Sequence, residues 1–448
     1  MKPPNPGWLL AIISCIALSS GCPLCAQTSD DVFQAKNDLE NEAKLEFVVV
    51  ITRHGVRSPT GKTDLLNQYS RKPWPKWSVA PGYLTEHGAR LMTLVGAYDR
   101  EQLAAEGLFA PGGCADAQHV RIIADSDQRT RETGKALAAG LAPGCAIEVG
   151  ALPEGTPDPL FHALAAGVGH PDKSLAVAAI TGRIGGNPQS LAQAYRLQLE
   201  ALETVLGGCS PGSDCTGAAQ PAPRSIFEIP SAIAIGKGEH LVDLRTPLGI
   251  ATTMSENMLL EYAEGMDASN VGWGGVDLQK LRDLMQLHTA YEDITARAKY
   301  VAQVESSNLL FHVLQSMEQA VQEHLVTGAL TKPGDRLLIL VGHDTNIANI
   351  SGVLNLSWIV DGRRDDTPPG GALVFEMWKS QSTSAHSVRT YYVAQTLDQM
   401  RDSTPLSLAQ PPERMPVFLP ACGQADGSCG WEAFRQALHD GIDAAFVK

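Results

Sequence analysis

Two arginines flank one histidine in Arg53-His54-Gly55-Val56-Arg57-Ser58-Pro59. A guanidinium presents a planar fork of donors suited to phosphate oxygens. A neutral imidazole nitrogen is a competent nucleophile toward phosphorus. Gly55 is expected to let the backbone approach a ligand closely, and Pro59 to fix the loop. A polar turn accounts for a lone His or Arg, but not for this combination of Arg, His, Gly, Arg and Pro. The chemistry within reach is attack by His54 on a phosphorus atom whose oxygens the arginines hold. Such a transfer asks chiefly for positioning and for positive charge around the phosphoryl oxygens.

Three buried strands must carry these residues. Leu45–Ile51 is a nearly continuous apolar, β-branched run, the pattern of a strand covered on both faces of an α/β sheet. It ends at Thr52-Arg53-His54-Gly55. A second strand, His119–Ala124, precedes a helix from about Gln128 to Leu141 that closes at Pro143-Gly144. A third, Arg336–Val341, runs directly into Gly342-His343-Asp344, with a helical stretch from Asn346. Each ends in polar residues, and the carboxyl edge of an open α/β sheet is where ligands bind. Ala372–Trp378 and Val388–Gln395 lack helix signals between them and are expected to pair antiparallel at an edge. Between about Pro157 and Thr331 the pattern is helical instead, at Ser190–Leu206, Gly249–Glu264, Leu278–Glu292 and Ala302–Val326. The expected fold is α/β, a mixed, mainly parallel sheet flanked by helices with an inserted mostly helical domain. Residues 42–156 plus 332–448 form the sheet domain and 157–331 the insertion. Gly207–Pro223 is a Gly/Ser/Pro-rich loop.

The string RHGxRxP at 53–59 resembles the signature of the histidine acid phosphatases, a branch of the phosphoglycerate-mutase-like superfamily. That family pairs it with a His-Asp in the C-terminal third, which Gly342-His343-Asp344-Thr345-Asn346 matches. Five further stretches resemble the bacterial periplasmic phytase/acid phosphatase group. They are Ile123-Ala124-Asp125 with Gln128–Gly134, Pro157–Phe161, Asp366–Gly371, Gln399–Asp402 and Thr404–Leu406. The likeness runs from about Leu45 to the last cysteine. It implies His54 as nucleophile and Asp344 as general acid toward the leaving alcohol, with Arg53, Arg57, Arg129 and His343 clasping the phosphoryl oxygens. A proton donor to the leaving group is also what the chemistry itself demands, and Arg129 at a helix start adds the helix dipole's preference for an anion. Thr60, Lys62, Asp125, Glu256 and Thr345 are implied as possible substrate contacts, with Thr345 matching the phytases where glucose-1-phosphatases carry Ser. Lys62 stands one position later than the phytase lysine, with Gly61 in its slot, and Gly169 replaces one half-cystine of the group's fourth disulfide.

The rest of the chain fits an exported enzyme. An uncharged run from Trp8 to Ser20 behind Lys2 matches a secretory signal peptide, expected to end at Ala26. Ser19-Ser20-Gly21-Cys22 faintly resembles a lipoprotein signal, and the soluble form is favoured. Of the nine cysteines, Cys15, Cys22 and Cys25 lie in this leader. The remaining six fall into near neighbours, read as Cys114–Cys145, Cys209–Cys215 and Cys422–Cys429 for a periplasmic or secreted location. A net charge of −14 argues against nucleic acid as partner, and nothing calls for a membrane span. No HExxH-type spacing occurs, so no metal and no cofactor is expected, and His162, His170, His240 and His288 are read as ordinary surface or satisfied core histidines. The expected enzyme is a monomeric acid phosphomonoesterase. Its substrate would be phytate, with glucose 1-phosphate or other sugar phosphates as the alternative.

Overall fold

A computed structural model describes residues 43–61, 63–207, 223–238 and 240–448. The expected leader at 1–26, Lys62 and the Cys209–Cys215 pair lie outside the described residues. Ala43–Lys448 forms one compact unit.

A mixed sheet runs through it. Strands β1 (Ala43–Arg53), β2 (Val120–Ala124), β3 (Val149–Gly150) and β4 (Leu337–Gly342) are parallel, in the order β1-β4-β2-β3. Strand β5 (Ala372–Ser380) joins β1 antiparallel, and β6 (His386–Ala394) joins β5. Two short strands, β7 (Glu413–Pro416) and β8 (Ser428–Gly430), finish that side on β6. The three runs read as buried strands are therefore adjacent, and the antiparallel pair is present. Register brings them level: Arg53 lies opposite Gly342, and Ala124 opposite Val341. The loops that follow β1, β4 and β2 consequently emerge side by side.

The helices that cover the sheet and reach the site are α1 (Glu86–Ala105), α2 (Gln128–Leu141), α3 (Pro247–Ala263), α4 (Leu278–Thr295), α5 (Lys299–Gln322), α6 (Asp344–Leu354) and α7 (Trp431–Gly441). Alternation along the strands splits the core by face. Phe47, Val49, Ile51, Leu338 and Leu340 pack with Leu309, Ile347 and Phe434 of α5, α6 and α7. Leu45, Val48, Leu337 and Ile339 pack with Met92 and Leu137 of α1 and α2. A register slip against β5 between Leu45 and Phe47 turns Leu45 onto the face of Val48. A third cluster joins Leu248, Met254 and Met258 of α3 to Leu281, Leu284 and Met285 of α4. Helix α3 starts where the sequence allows: Thr246 caps the Gly249 amide and Pro247 takes the first helical position, where its missing N–H costs nothing.

The expected helix at 190–206 is broken at Tyr195 (φ −108°, ψ 25°) into Gln189–Ala194 and Arg196–Leu206. The expected helix to Val326 stops at Gln322, because Glu323 turns left-handed (φ 58°). An antiparallel hairpin, Ala232–Ile235 with Val242–Arg245, interrupts the helical segment. We propose the division into 42–156 plus 332–448 and 157–331 from this change of element type.

The bonds Cys114–Cys145 and Cys422–Cys429 both form. The first ties the segment before β2 to the segment after α2. Closing a 31-residue loop removes freedom from the unfolded chain, worth about 3–4 kcal/mol. Replacing both Cys114 and Cys145 by Ser is expected to lower unfolding free energy in urea by that amount and to leave turnover per folded molecule intact. Turnover lost ahead of the folded signal would show that the bond serves the chemistry.

Candidate active site

Backbone hydrogen bonds bind the strand-end loops to one another. The His54 amide donates to the Gly342 carbonyl (2.9 Å), and the Asp125 amide donates to that of Val341 (3.0 Å). The Gly370 amide donates to His54 (3.0 Å), and the Arg53 amide donates to Gly371 (2.9 Å). Gly55 has a packing role: a Cβ there would lie 2.8 Å from Met92 Cγ and 3.1 Å from the Gly88 carbonyl of α1. At Gly342 a Cβ would strike Asn346 Oδ1 at 2.5 Å and Phe161 at 2.7 Å.

His54 is 2% exposed. Its Nδ1 lies 2.8 Å from the Gly55 carbonyl, so Nδ1–H donates there and Nε2 carries the lone pair. Arg57 Nε stands 3.4 Å from that nitrogen. Burial, then Arg57, Arg53 and Arg129, press the His54 pKa well below its ordinary value, so the imidazole is neutral and nucleophilic.

Arg53 is fully buried. It donates to the Thr367 carbonyl (2.6 Å), bonds Glu256 of α3, and lies 3.2 Å from Asp344 Oδ2 at the start of α6. Burial works against its charge, but Asp344, Glu256 and Asp366 outweigh it and raise its pKa. Burial lowers Arg57 to about 10 despite Glu256 at 3.8 Å, and it stays charged at neutral pH. Arg129 pairs with Asp127 at 2.5 Å and stands 3.4 Å from His343 Nδ1. The His54 and His343 rings meet edge-on, with centroids 5.6 Å apart. The structure thus gathers His54, Arg53, Arg57, Arg129, His343 and Asp344 at one place. Burial favours the neutral form of Asp344, yet Arg53 foremost, with His288, Arg57 and His343, holds it well below the carboxylate range. It is ionised in this ligand-free arrangement.

The expected substrate contacts divide. Thr60 and Thr345 are exposed, and Thr345 lines a cleft of about 590 Å³. Asp125 is wholly buried; its Oδ2 accepts from His343 Nε2 (2.8 Å) and from His162 Nε2 (3.1 Å). Glu256 is also buried and bonds Arg53 through Oε1. Two site residues were missed. His162, read as ordinary, stands 3.3 Å from His343 Nε2, because Asn346 Nδ2 binds the Phe161 carbonyl (2.8 Å) and holds that turn against α6. Glu292 of α4 lines the cleft, and burial pushes its carboxyl up to about 7. Neither lies in a motif; only the fold brings them in. Ligand atoms of Asp125, Asp127, His162 and His343 lie within 4.8 Å of one another, close enough to share a cation. The two histidine bonds engage Asp125 Oδ2, Asp127 pairs with Arg129, and the buried Asp125 Oδ1 has no hydrogen-bond partner.

Residues 44–180 and 251–393 match the model of the histidine phosphatase superfamily (branch 2). The phytase AppA of Escherichia coli (strain K12) is 37% identical over 406 residues, covering 90% of this chain and 93% of that one. The glucose-1-phosphatase of Providencia rettgeri is 30% identical, covering 91% and 94%. Among solved structures, the Hafnia alvei phytase in complex with tartrate superposes with a TM-score of 0.81 at 35% identity, covering 91% of this chain and 99% of that one.

Asp125 acts on His343 from behind. Its hydrogen bond supports the imidazolium, against burial and Arg129, which lower the His343 pKa. Removing that carboxylate lowers the His343 pKa further. Asp125→Asn is therefore expected to cut kcat by ~10-fold to 100-fold, to weaken competitive inhibition by inorganic phosphate, and to move the alkaline limb of the pH–rate profile toward acid. An unmoved limb would reduce Asp125 to a packing role.

Proposed function

Because the chain belongs to the histidine phosphatase superfamily (branch 2), we propose that it is an exported acid phosphomonoesterase acting on phytate, inositol hexakisphosphate, through a phosphohistidine on His54. One observation carries the mechanism: a neutral His54 with its Nε2 free of a proton, in the field of Arg57, Arg53 and Arg129, with Asp344 3.2 Å from Arg53. Phytases are among the relatives and structural neighbours at 35% identity and above, and Thr345 faces the cleft. The glucose-1-phosphatase relatives keep a sugar-phosphate substrate as the second reading. The disulfides Cys114–Cys145 and Cys422–Cys429 suit an oxidising compartment and support a periplasmic or secreted location. Among the described residues no helix is long and apolar enough to cross a membrane.

In the first step His54 Nε2 attacks phosphorus, the bond from phosphorus to the ester oxygen breaks, and Asp344 gives that oxygen its proton. Asp344 then takes a proton from water, which attacks the phosphohistidine and releases inorganic phosphate. The ionised Asp344 becomes an acid when a phosphate dianion enters. The dianion draws the field of Arg53 onto itself and sets negative charge beside a carboxyl that burial already disfavours ionising.

Acid quenching during turnover of labelled phytate tests the nucleophile. The label is expected on His54 and is absent from His54→Ala; a label on any other residue overturns the mechanism. Initial rates on phytate and glucose 1-phosphate, taken side by side, decide between the two substrates. For the acid, Asp344→Asn is expected to slow phosphoenzyme formation far more from alkyl phosphates than from para-nitrophenyl phosphate, whose leaving group needs little protonation. The gap is part of the ~10²–10⁴-fold that general acid catalysis contributes. Equal single-turnover losses would pass the role to Glu292, whose carboxyl at about 7 carries a proton in mild acid.

A further inference from the structure

We propose that His162 is a specificity-determining residue, a cation that engages a second phosphate group of the substrate whose reacting phosphate sits at His54. The inference rests on the phosphatase reading above and extends it to how a polyphosphate is told from a simple ester.

The geometry begins with one carboxylate serving two imidazoles. Asp125 Oδ2 accepts from His343 Nε2 at 2.8 Å and from His162 Nε2 at 3.1 Å, and Asp125 is inaccessible to solvent. His343 turns its other nitrogen toward Arg129 and the phosphate clasp. His162 commits only Nε2 to Asp125; its side chain is 41% exposed and lines the cleft beside Thr345. The His54 and His343 ring centroids are 5.6 Å apart, and those of His343 and His162 are 4.9 Å apart. His162 is thus one side chain removed from the reacting phosphate, where a neighbouring phosphate on the same substrate would lie.

Charge supports the same assignment. The groups acting on His162 are Asp125 and Asp127 from the loop after β2, Glu305 from α5, Asp158 from its own turn and His343 from the start of α6. Burial opposes its proton, but Asp125 foremost, with Asp127 and Glu305, raises its pKa above the ordinary value. Without His162 the His343 side chain and Asp125 sum to zero charge at most; a protonated His162 adds one positive charge where the chain otherwise presents carboxylates. A simple phosphate seated at His54 already has Arg53, Arg57, Arg129 and His343. A second phosphate on the same molecule reaches beyond them into the cleft, and His162 is the cation placed to meet it.

Inhibition of para-nitrophenyl phosphate hydrolysis in mildly acidic buffer tests this whether or not phytate is turned over. Inositol hexakisphosphate and inorganic phosphate serve as competing inhibitors of the wild type, His162→Asn and His162→Arg. Asn keeps a donor for Asp125 without the charge, and Arg keeps the charge. The Ki for the hexakisphosphate is expected to rise about 5-fold to 10-fold in His162→Asn, the size of one hydrogen bond net of solvation. The Ki for inorganic phosphate should rise several-fold less, and His162→Arg should recover most of the difference. Equal changes in both Ki values, or none in either, would overturn the proposal, since a residue that only props Asp125 and His343 affects both ligands alike. A wild type that binds the hexakisphosphate but releases no phosphate from it would sink the phytase reading and leave His162 standing.

Discussion

The site is built around a charge that has no access to water. Arg53 is the largest of the fully buried side chains, and a guanidinium in that position is tolerable only if it is paired and hydrogen-bonded on several sides. Its partners come from three distant parts of the chain: Glu256 on α3, Asp344 at the head of α6, and the Thr367 carbonyl in the loop before β5. Removing both carboxylates would strand a buried charge, and breaking a buried pair that way typically costs about 3–5 kcal/mol. Neutralisation of Arg53 therefore fixes the helical segment against the sheet at the point where the chemistry occurs. Burial, joined by Arg57, this same Arg53 charge and Arg129, keeps His54 unprotonated. One electrostatic constraint both assembles the site and prepares the nucleophile.

The sheet supplies the second half of that constraint. Because β1, β4 and β2 end in register, the His54 and Asp125 amides bond to the carbonyls of Gly342 and Val341 at the end of β4. Side chains on those loops are then held by backbone, not by their own rotamers alone. That rigidity matters for phosphoryl transfer, where positioning supplies much of the acceleration.

Much of this was legible in the sequence wherever a local signal existed. Continuous β-branched runs marked β1, β2 and β4, and the polar residues after them marked the site edge. Helix α2 was readable from its start at Gln128 to Pro143-Gly144. The hairpin at 232–245 escaped because its strands are four residues long and mostly exposed, so no buried run announces them. The break at Tyr195 escaped because nothing in its neighbours forbids a continuous helix; only the φ/ψ values reveal it. In the site, the residues inside motifs were found, and those outside were not. His162 has no spacing relation to His343, and their contact depends on Asn346 gripping the Phe161 carbonyl across the fold. Asp125 and Glu256 were found, but not their partners. Residue type says that a carboxylate can meet a substrate, and only the fold says which imidazole or arginine it bonds.

A chain with net charge −14 does not draw a polyanion from a distance, and at physiological salt such a field is screened within about 8 Å in any case. Recognition has to be short-ranged, which is why the cations are concentrated and pre-paired: Arg53 with Glu256 and Asp344, Arg129 with Asp127, His343 and His162 with Asp125. Each pair also bears on acid tolerance. Asp125 and Asp344 have folded pKa values depressed below the ordinary carboxylate value. A depressed carboxyl contributes stability that is fully present above its unfolded pKa, near 4, and is lost as pH falls through the lower folded one. The loss from these two groups therefore begins as pH falls toward that ordinary value and is complete only at the lower folded one. Mild acid protonates Glu292 and reduces the repulsion in the cleft while Asp125 and Asp344 stay ionised. The pairing of these cations with carboxylates is the arrangement that lets the site take phosphate in mild acid while Asp125 and Asp344 still hold it together.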